Sequence, residues 1–502
     1  MSKVKIVPYG SWKSPITSDL IVSRSVRLGH IALDGPEVYW IESRPTEQGR
    51  SVIVRGGAGQ APADVTPAGF NVRTRVHEYG GGDFTVRNGV IYFINFDDQH
   101  LYRQMPGEAP RPLTPQADLR YADLIVDEKR ERIICIREDH TDPHREPVNS
   151  IVSIDLTKGG EGQVLISGND FYASPRLSPD GGHICWLAWN HPDMPWDSTQ
   201  LWLSKIHADG SLGSPEHVAG GAQESIFQPE WSPDGLLYFV SDRTGWWNLY
   251  RQRDGQIEAL HEMQAEFGLP QWVFGLSTYG FVSANRMICA YTSQGTWALA
   301  SLNTVNGEWV PIETPYSEIR SLVANGTTVV LHAGSPTEPP SIVQVDPETA
   351  AVQILRRSND LTVDPGYLSS PETIEFPTEG GSTAYALFYP PRNRDYTALF
   401  GELPPLLVVS HGGPTGAASS ALNLTTQYWT SRGFAVLDVN YGGSTGYGRA
   451  YRERLNGQWG IVDVDDCVNA AQHLVRQDRV DGERLAIRGG SAGGYTTLAA
   501  LT

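Results

Sequence analysis

The residues best suited to covalent chemistry lie near the C-terminal end of the chain, around Ser491. A short apolar segment, 485–488, is followed by Gly489-Gly-Ser491-Ala-Gly493-Gly and then by helix-compatible residues, 496–502. Gly-x-Ser-x-Gly between a strand and a helix is the pattern of a nucleophile elbow. Small neighbours allow the serine to occupy a strained turn, and the next N–H group can face a developing oxyanion. Ser491 is the candidate nucleophile; a purely structural glycine-rich turn is the alternative.

A second match to this pattern centres on Ser444, within residues 442–446. It also follows a strand-like segment, but Gly446 and Gly448 come directly after it, and glycine is a poor residue with which to begin a helix. We therefore interpret Ser444 as a loop residue.

A third glycine-rich stretch, His411-Gly412-Gly413-Pro414, follows the continuous apolar segment 406–410. Such a segment is typical of a parallel strand covered on both faces, and glycines after it allow the backbone to approach a substrate carbonyl closely. His411 could act as a base. In α/β-hydrolases, however, the base follows the nucleophile in the chain, so we interpret His411 as a residue that shapes the loop.

Three aspartates precede a helical apolar stripe in the same region. Asp463, Asp465 and Asp466 fall where the N-terminus of that helix is expected, and a helix dipole favours negative charge there. They are more typical of a helix start than of a catalytic carboxylate.

The elements upstream of this region are expected to form a ring. Apolar, β-branched and aromatic runs recur about 40 to 50 residues apart, each followed by a turn and a second strand-like run. The seven runs begin at Val38, Ile91, Ile133, Ile184, Leu237, Met287 and Val329. Seven repeats predict a seven-bladed β-propeller, which buries every blade face by closing on itself. The Pro-Asp-Gly turns at 179–181 and 233–235 are interpreted as hairpin turns rather than calcium sites.

Strand and helix patterns alternate after the ring, which predicts an α/β-hydrolase domain with a doubly wound parallel sheet. We expect four regions: an N-terminal segment, 1–30, which could pack on the hydrolase domain; the propeller, 31–358; a linker, 359–371; and the N-terminal part of the catalytic domain, 372–502.

The amino-acid composition excludes some classes of binding partner and indicates a cellular compartment. The net charge of −18 argues against nucleic-acid and anionic-membrane partners. Four widely separated cysteines inside apolar runs predict free thiols and a cytoplasmic protein. The sequence carries no motif for a cofactor or a metal.

Taken together, the motifs resemble those of the prolyl oligopeptidase family of serine peptidases, most of all its acylaminoacyl-peptidase and dipeptidyl-aminopeptidase branch. The resemblance rests on the propeller, on 411–414, on Asn440-Tyr-Gly-Gly-Ser-Thr-Gly-Tyr-Gly448 and on 489–494. It implies a peptidase for short peptides, with the propeller filtering access to Ser491 and the N–H groups of Gly413 and Ala492 forming the oxyanion hole. Many members carry arginine at the position of Gly442, and any contact of that arginine is expected to be absent.

The chain departs from the family in one respect. The family triad is Ser, then Asp, then His, whereas all 13 histidines precede Ser491. We therefore expect the triad Asp and His to lie in a C-terminal segment beyond residue 502. An esterase or amidase on the same scaffold, or a non-catalytic propeller interaction module, remain alternatives, and substrate specificity and a possible homo-oligomer stay open.

Overall fold

The structure, a computed structural model, describes residues 4–22, 25–57 and 59–502, so residues 1–3 and 23–24 of the expected N-terminal segment lie outside the described residues. Strand β1 (Lys5–Ile6) pairs in parallel with residues 396–397 of the C-terminal domain. The Tyr9 N–H donates to the Glu402 carboxylate at 3.1 Å. Helix α1 (Ser18–Val22) follows. This segment thus contacts the domain at the other end of the chain.

The propeller consists of seven units of four antiparallel strands, each unit built from consecutive strands. Blades 1 to 4 comprise β2 (Arg27–Asp34), β3 (Glu37–Arg44), β4 (Arg50–Gly57) and β5 (Gln60–Asp64); β6 (Phe84–Arg87), β7 (Val90–Ile94), β8 (Leu101–Gln104) and β9 (Arg111–Pro112); β10 (Leu119–Asp127), β11 (Arg132–Asp139), β12 (Val148–Asp155) and β13 (Gln163–Ile166); β14 (Phe171–Leu177), β15 (His183–Trp189), β16 (Thr199–Lys205) and β17 (Glu216–Gly221).

Blades 5 to 7 comprise β18 (Ile226–Trp231), β19 (Leu237–Ser241), β20 (Asn248–Arg253) and β21 (Gln256–His261); β22 (Tyr279–Ser283), β23 (Arg286–Ser293), β24 (Thr296–Asn303) and β25 (Trp309–Ile312); β26 (Glu318–Asn325), β27 (Thr328–Ser335), β28 (Glu338–Val345) and β29 (Val352–Arg357). Blades 6 and 7 share one sheet through a single parallel pairing, Phe281 with Asn325. The predicted seven-bladed propeller is confirmed.

Each predicted apolar run is the second strand of a blade and is almost wholly buried, as in β15 and β19. The first strand of most blades is more polar and carries a β-bulge. In blades 3, 4 and 5 the bulge places Asp123, Ser174 and Gln228 at positive φ. Polar residues and bulges break the alternation that identifies a strand, so the sequence pattern missed these strands.

The ring closes by packing of blade 1 on blade 7. Trp40 is fully buried in a cluster with Val330 and Ile342. The backbone adds one bond at the seam, from the Val26 N–H to Ser358 O at 2.8 Å. Since no strand is exchanged between the two blades, apolar packing and the ion pair between the buried Glu42 carboxylate and Arg356, at 2.7 Å, supply the closure.

The C-terminal domain contains the strands β30 (Glu372–Pro377), β31 (Thr383–Tyr389), β32 (Tyr396–Thr397), β33 (Leu406–Ser410), β34 (Ala435–Asn440) and β35 (Leu485–Gly489), and the helices α2 (Leu424–Thr430), α3 (Arg449–Glu453), α4 (Val462–Arg476) and α5 (Ala492–Ala499). Its main sheet has the order β30-β31-β34-β33-β35. β33 runs parallel to both β34 and β35, after an antiparallel start, β30-β31-β34. Helices α4 and α2 cover opposite faces.

Two helices differ from the sequence expectation. α5 begins at Ala492 rather than near residue 496, because the turn at Ser491 passes directly into the helix. α2 begins only at Leu424, where the Asn423 side chain accepts the Thr425 N–H, and is shorter than the segment 419–432 suggested. Among the described residues, no helix has the length and apolar character needed to cross a membrane.

Candidate active site

Ser491 lies at the junction of β35 and α5 with φ 54° and ψ −124°, and it is exposed to solvent. A non-glycine residue in this backbone region is strained, which is the conformation that a nucleophile elbow requires. Two flanking glycines permit it. A Cβ at Gly489 would overlap Gly493 O, and a Cβ at Gly493 would overlap Ser410 O. At Gly490, by contrast, a Cβ would meet nothing within 4 Å.

Ser410, the last residue of β33, fastens the elbow to the sheet. Its hydroxyl donates to Gly493 O at 2.8 Å and lies 3.3 Å from the Thr497 hydroxyl. Its backbone is paired with Gly489 in the parallel register of β33 and β35. Ser410 is buried. Ser410 was not predicted from the sequence, although its position at the strand end, directly before the glycine-rich loop, was an available signal.

The 411–414 loop lies beside the elbow. A Cβ added at Gly412 would lie 3.4 Å from Ser491 Cβ and 3.2 Å from Gly490 O. Gly413 follows at φ 130°, a conformation that favours glycine. Ala492 is the first residue of α5, and the first N–H groups of a helix have no partner within it. The structure thus brings both predicted oxyanion-hole loops next to Ser491.

His411 is engaged away from Ser491. Its Nδ1 lies 2.9 Å from Gly412 O and its Nε2 lies 2.8 Å from the Ser444 hydroxyl. The carbonyl can only accept, so Nδ1 carries the proton and the Ser444 hydroxyl donates to Nε2. The ring stacks on Tyr441 with centroids 4.4 Å apart. Burial lowers the pKa of His411 to about 4. A neutral, fully engaged imidazole shapes the loop, as the sequence suggested.

Ser444 forms a serine–histidine pair with His411 that resembles a catalytic dyad in distance alone. It is fully buried, with 0% of its surface exposed, so no substrate reaches it. Ser444 is therefore a structural loop residue, and the second Gly-x-Ser-x-Gly match carries no nucleophile.

The aspartates of α4 hold neighbouring backbone. Asp463 accepts the Gly460 N–H at 2.6 Å and the Thr496 hydroxyl at 2.5 Å, which ties α4 to α5. Asp466 accepts the Gly442 N–H at 2.7 Å. Both carboxylates are buried. The hydrogen bonds of Asp463 and Asp466 therefore give these carboxylates a structural role.

Many members of the family that the sequence resembles carry arginine at the position of Gly442, but here the neighbouring side chains crowd any side chain at that position. A Cβ there would lie 2.6 Å from Val462 Cγ1 and 3.0 Å from the Arg454 guanidinium carbon. The Arg454 guanidinium in turn pairs with Asp466 at 3.3 Å. Gly442 itself has no cationic side chain, but the guanidinium of Arg454 lies beside it.

The propeller holds the 442–448 loop through buried carboxylates. Glu266 accepts the N–H groups of Gly446 and Gly448 at 3.2 and 3.0 Å. Asp242 pairs with Arg449 at 2.8 Å and with Arg452 at 2.6 Å. Burial raises the pKa of both acids, and Arg452 opposes that shift. These contacts could not be predicted from the sequence because the partners lie about 200 residues apart.

A cavity of about 340 Å³ lies inside the ring. Trp272 lines it and donates from Nε1 to Thr415 O at 2.6 Å. Aromatic and acidic side chains dominate the lining: Phe171, Trp189, Trp272, Phe274, Glu78, Glu138, Glu146, Asp170 and Asp193. None of the described lining residues is a lysine or an arginine. Arg120, outside the lining, pairs with Glu78 and Glu138 at 3.5 and 3.7 Å, which leaves Glu146, Asp170 and Asp193 without an ion pair among the described residues. The cavity therefore suits a partly apolar cation.

Comparison with known proteins agrees with this geometry. The model of the prolyl oligopeptidase family matches residues 420–502. Dipeptidyl aminopeptidase BIII of Pseudoxanthomonas mexicana is 42% identical over 98 residues, 20% of this chain and 14% of that protein. The acylamino-acid-releasing enzyme of Arabidopsis thaliana is 38% identical over 97 residues, 19% of this chain and 13% of that protein. The alignments thus span only a small part of these curated relatives.

The solved structures extend the likeness to the whole chain. A puromycin-hydrolyzing peptidase of Mycobacterium tuberculosis is 40% identical with a TM-score of 0.94, over 99% of this chain and 78% of that one. A puromycin hydrolase is 39% identical with a TM-score of 0.93, over 99% and 79%. At this identity and coverage the relationship includes both domains, and the chain belongs to the prolyl oligopeptidase family.

Proposed function

We propose that this protein is a serine peptidase that hydrolyses short peptides through an acyl-enzyme on Ser491, with the propeller filtering access. The observation that carries the proposal is the strained, exposed Ser491 held beside the 411–414 loop. In this reaction the Ser491 hydroxyl attacks the scissile carbonyl, the amine leaves with a proton, and water then releases the acyl group. The N–H groups of Gly413 and Ala492 would stabilise the oxyanion.

The general base and its carboxylate are proposed to come from sequence that follows Thr502. Two observations support this. The solved relatives have longer chains, of which this chain covers 78% and 79%. Within the described ranges no histidine bonds to the Ser491 hydroxyl, and His411 is committed to Ser444. We also propose the division into 1–30, 31–358, 359–371 and 372–502, and a cytoplasmic location, which the four buried free cysteines support.

A free N-terminal amine is the proposed feature of the substrate, which places the protein with the dipeptidyl type rather than the acylaminoacyl type. The acidic cavity beside Trp272 and Thr415 supports this, because its carboxylates would attract an ammonium group and its aromatic rings would cover an apolar side chain. The solved relatives named for puromycin favour an amidase as the second candidate, since the acyl-transfer chemistry is shared.

The experiment uses the full-length protein and a fluorophosphonate probe, with Ser491→Ala and Ser444→Ala compared. We expect labelling to occur at Ser491, to vanish in Ser491→Ala and to persist in Ser444→Ala. Hydrolysis of aminoacyl and dipeptidyl chromogenic amides should fall by several orders of magnitude in Ser491→Ala, at unchanged melting temperature. Retention of more than about a tenth of the activity would rule out Ser491 as nucleophile. Faster cleavage of N-acylated than of free-amine substrates would overturn the assigned substrate type.

A further inference from the structure

Two loops meet inside the propeller ring although they come from blades that are not neighbours. One loop, 76–82, leads into blade 2, and the other, 270–276, leads into blade 6. The Phe274 N–H donates to Gly80 O at 2.9 Å. Gly81 and Phe274 form an isolated parallel β-bridge. We name this contact the cross-ring bridge; it joins the loop before blade 2 to the loop before blade 6.

The bridge and its packing account for two of the three consecutive glycines at 80–82. Gly81 has φ 91°, and a Cβ there would overlap Phe274 O. Gly82 has φ 56°, and a Cβ there would lie 2.9 Å from Asp123 Cα. Its carbonyl accepts the Asp123 N–H of blade 3 at 3.1 Å. The backbone therefore passes between the opposite loop and the first strand of blade 3, with no space for side chains.

The bridge also forms a wall of the acidic cavity. Phe274 is 7% exposed and lines the cavity, and its ring lies 4.8 Å from that of His77 on the opposite loop. On the other side the cavity is bounded by blades 3 to 5, through residues such as Ala173 and Phe227. The cavity thus ends at backbone that hydrogen bonds fix at two points.

The cavity volume fits a short ligand. Its volume of about 340 Å³ is near the lower limit for small-molecule sites, which span roughly 300 to 1,000 Å³. Each extended residue adds about 3.3 to 3.6 Å of length, so every additional residue brings the chain closer to the wall. The acidic lining attracts an amine and repels a carboxylate, so the N-terminal end of a peptide is the end that enters.

We propose that the cross-ring bridge is the stop for the N-terminal end of the substrate and limits the enzyme to removing one or a few residues at a time. This inference rests on the proposed function. A chain that extends beyond the wall would have to break the Phe274–Gly80 bond and displace Gly82 from Asp123. The bridge is thus a specificity determinant that acts by length, whereas the carboxylates act by charge.

The first test is a ladder of substrates for the full-length enzyme. Each member carries the same residue before the cleaved amide and one, two, three, four or six residues on its N-terminal side, with a free amine. We expect kcat/KM to fall at least about tenfold at one step of the ladder and to stay low beyond it. Equal kcat/KM across the ladder would overturn the inference with the proposed peptidase activity intact. Hydrolysis of no member would instead contradict the proposed function.

The second test breaks the bridge by Gly81→Ala, whose added Cβ overlaps Phe274 O. The matched control is Gly107→Ala, at φ 75° in a hairpin of blade 2, where a Cβ meets nothing within 4 Å. Both variants carry the left-handed strain, but only the first displaces the opposite loop. In the wild type we expect a drop in kcat/KM between two consecutive substrate lengths. Gly81→Ala should make that drop smaller by about tenfold or more, and Gly107→Ala should leave it unchanged. An unchanged step in a folded Gly81→Ala protein would contradict the assignment; if that variant does not fold, the wild-type ladder still decides.

Discussion

Glycines around Ser491 differ in what they must accommodate, although the sequence shows them as one run. An alanine at Gly493 would gain about 1 kcal/mol of helix propensity, since the position lies in the first turn of α5. Its Cβ, however, would overlap Ser410 O and lie 2.6 Å from His411 O, and overpacking of this kind costs about 1 to 3 kcal/mol or more. The clash therefore outweighs the gain in propensity.

We expect Gly493→Ala to destabilise the full-length protein by about 2 kcal/mol and to displace the elbow from the 411–414 loop. Gly490→Ala is the matched control, because a Cβ there meets nothing within 4 Å, and its stability should stay within about 0.5 kcal/mol of wild type. Urea denaturation of the three proteins gives both values. Equal stability of the two variants would show that the close approach to Ser410 O does not exist in solution.

Asp438 of β34 offers a test of pH dependence. Burial raises the pKa of its carboxyl to about 7, and its Oδ1 has no hydrogen-bond partner among the described residues. The unfolded chain titrates near 3.9, so the folded state binds this proton more tightly. The protonated Asp438 carboxyl contributes its full stabilisation of the folded state below about pH 4, and this stabilisation is lost as the pH rises to about 7. Above pH 7 the buried charge destabilises the fold.

Asp438→Asn should therefore raise the melting temperature of the full-length protein at pH 8 and change it little at pH 4. Asp142→Asn, in an exposed loop, serves as the control substitution. Thermal unfolding at the two pH values measures the difference. A variant less stable than wild type at pH 8 would mean that the Asp438 carboxylate has a compensating partner.

At the level of single residues, the sequence predicted those whose role follows from local backbone. Ser491 was found because an elbow requires small residues on both sides. The buried bond between Ser444 and His411 was not found, because it joins residues 33 positions apart through a loop whose path the sequence does not encode locally. The same limit hid Ser410, although it is the residue that locks Gly493 in place.

At the level of elements, the second strand of each blade was predictable and the first strand was not. β11 and β15 are continuous apolar runs because both of their faces are buried between blades. β10 and β14 line the ring interior, where Asp123 and Arg176 form a salt bridge at 3.1 Å, so their composition is mixed. The number of blades was recovered because each blade needs only one strand with a strong signal.

Contacts between elements of different domains give a further prediction, for Glu266. Glu266 holds the N–H groups of Gly446 and Gly448, and Ser444 in the same loop holds His411. The Tyr441 hydroxyl also donates to His411 O at 2.8 Å. The propeller thereby contributes to the position of the 411–414 loop, and with it of the proposed oxyanion hole, through a buried carboxylate, in addition to the bond from Trp272 to Thr415 O.

Replacing Glu266 by Ala in the full-length enzyme should lower kcat about tenfold or more with a smaller change in KM, because the loop would lose its anchor rather than its substrate contacts. Glu266→Gln, which keeps an acceptor oxygen, should restore part of the rate. Glu258→Ala provides the control, as Glu258 pairs with Arg251 within blade 5 and bonds to neither the 411–414 nor the 442–448 loop. Unchanged kcat in Glu266→Ala would show that this propeller contact does not determine the geometry of the active site.

At the level of the whole molecule, the N-terminal segment connects the seam of the ring to the C-terminal domain. Blade 1 packs on blade 7, the Val26 N–H bonds to Ser358 O, and the N-terminal segment continues onto the C-terminal domain, where β1 pairs with β32. The seam is the one blade junction that no chain connection crosses. Its stability therefore depends on apolar packing, on the Glu42–Arg356 ion pair and on this segment.

We expect Trp40→Ala to open the ring at this seam. Trp40 is 0% exposed between blade 1 and the blade 7 residues Val330 and Ile342, and removing a buried tryptophan costs about 3 to 5 kcal/mol. Trp186→Ala is the matched control, since Trp186 is 2% exposed at an interior junction, where the chain still joins adjacent blades. The global stability should fall by a similar amount in both variants.

Hydrogen exchange, however, should rise under native conditions in blades 1 and 7 of Trp40→Ala alone, because only that junction can separate without unfolding a blade. The same exchange pattern in both variants would show that the ring opens elsewhere, or that it unfolds as one unit.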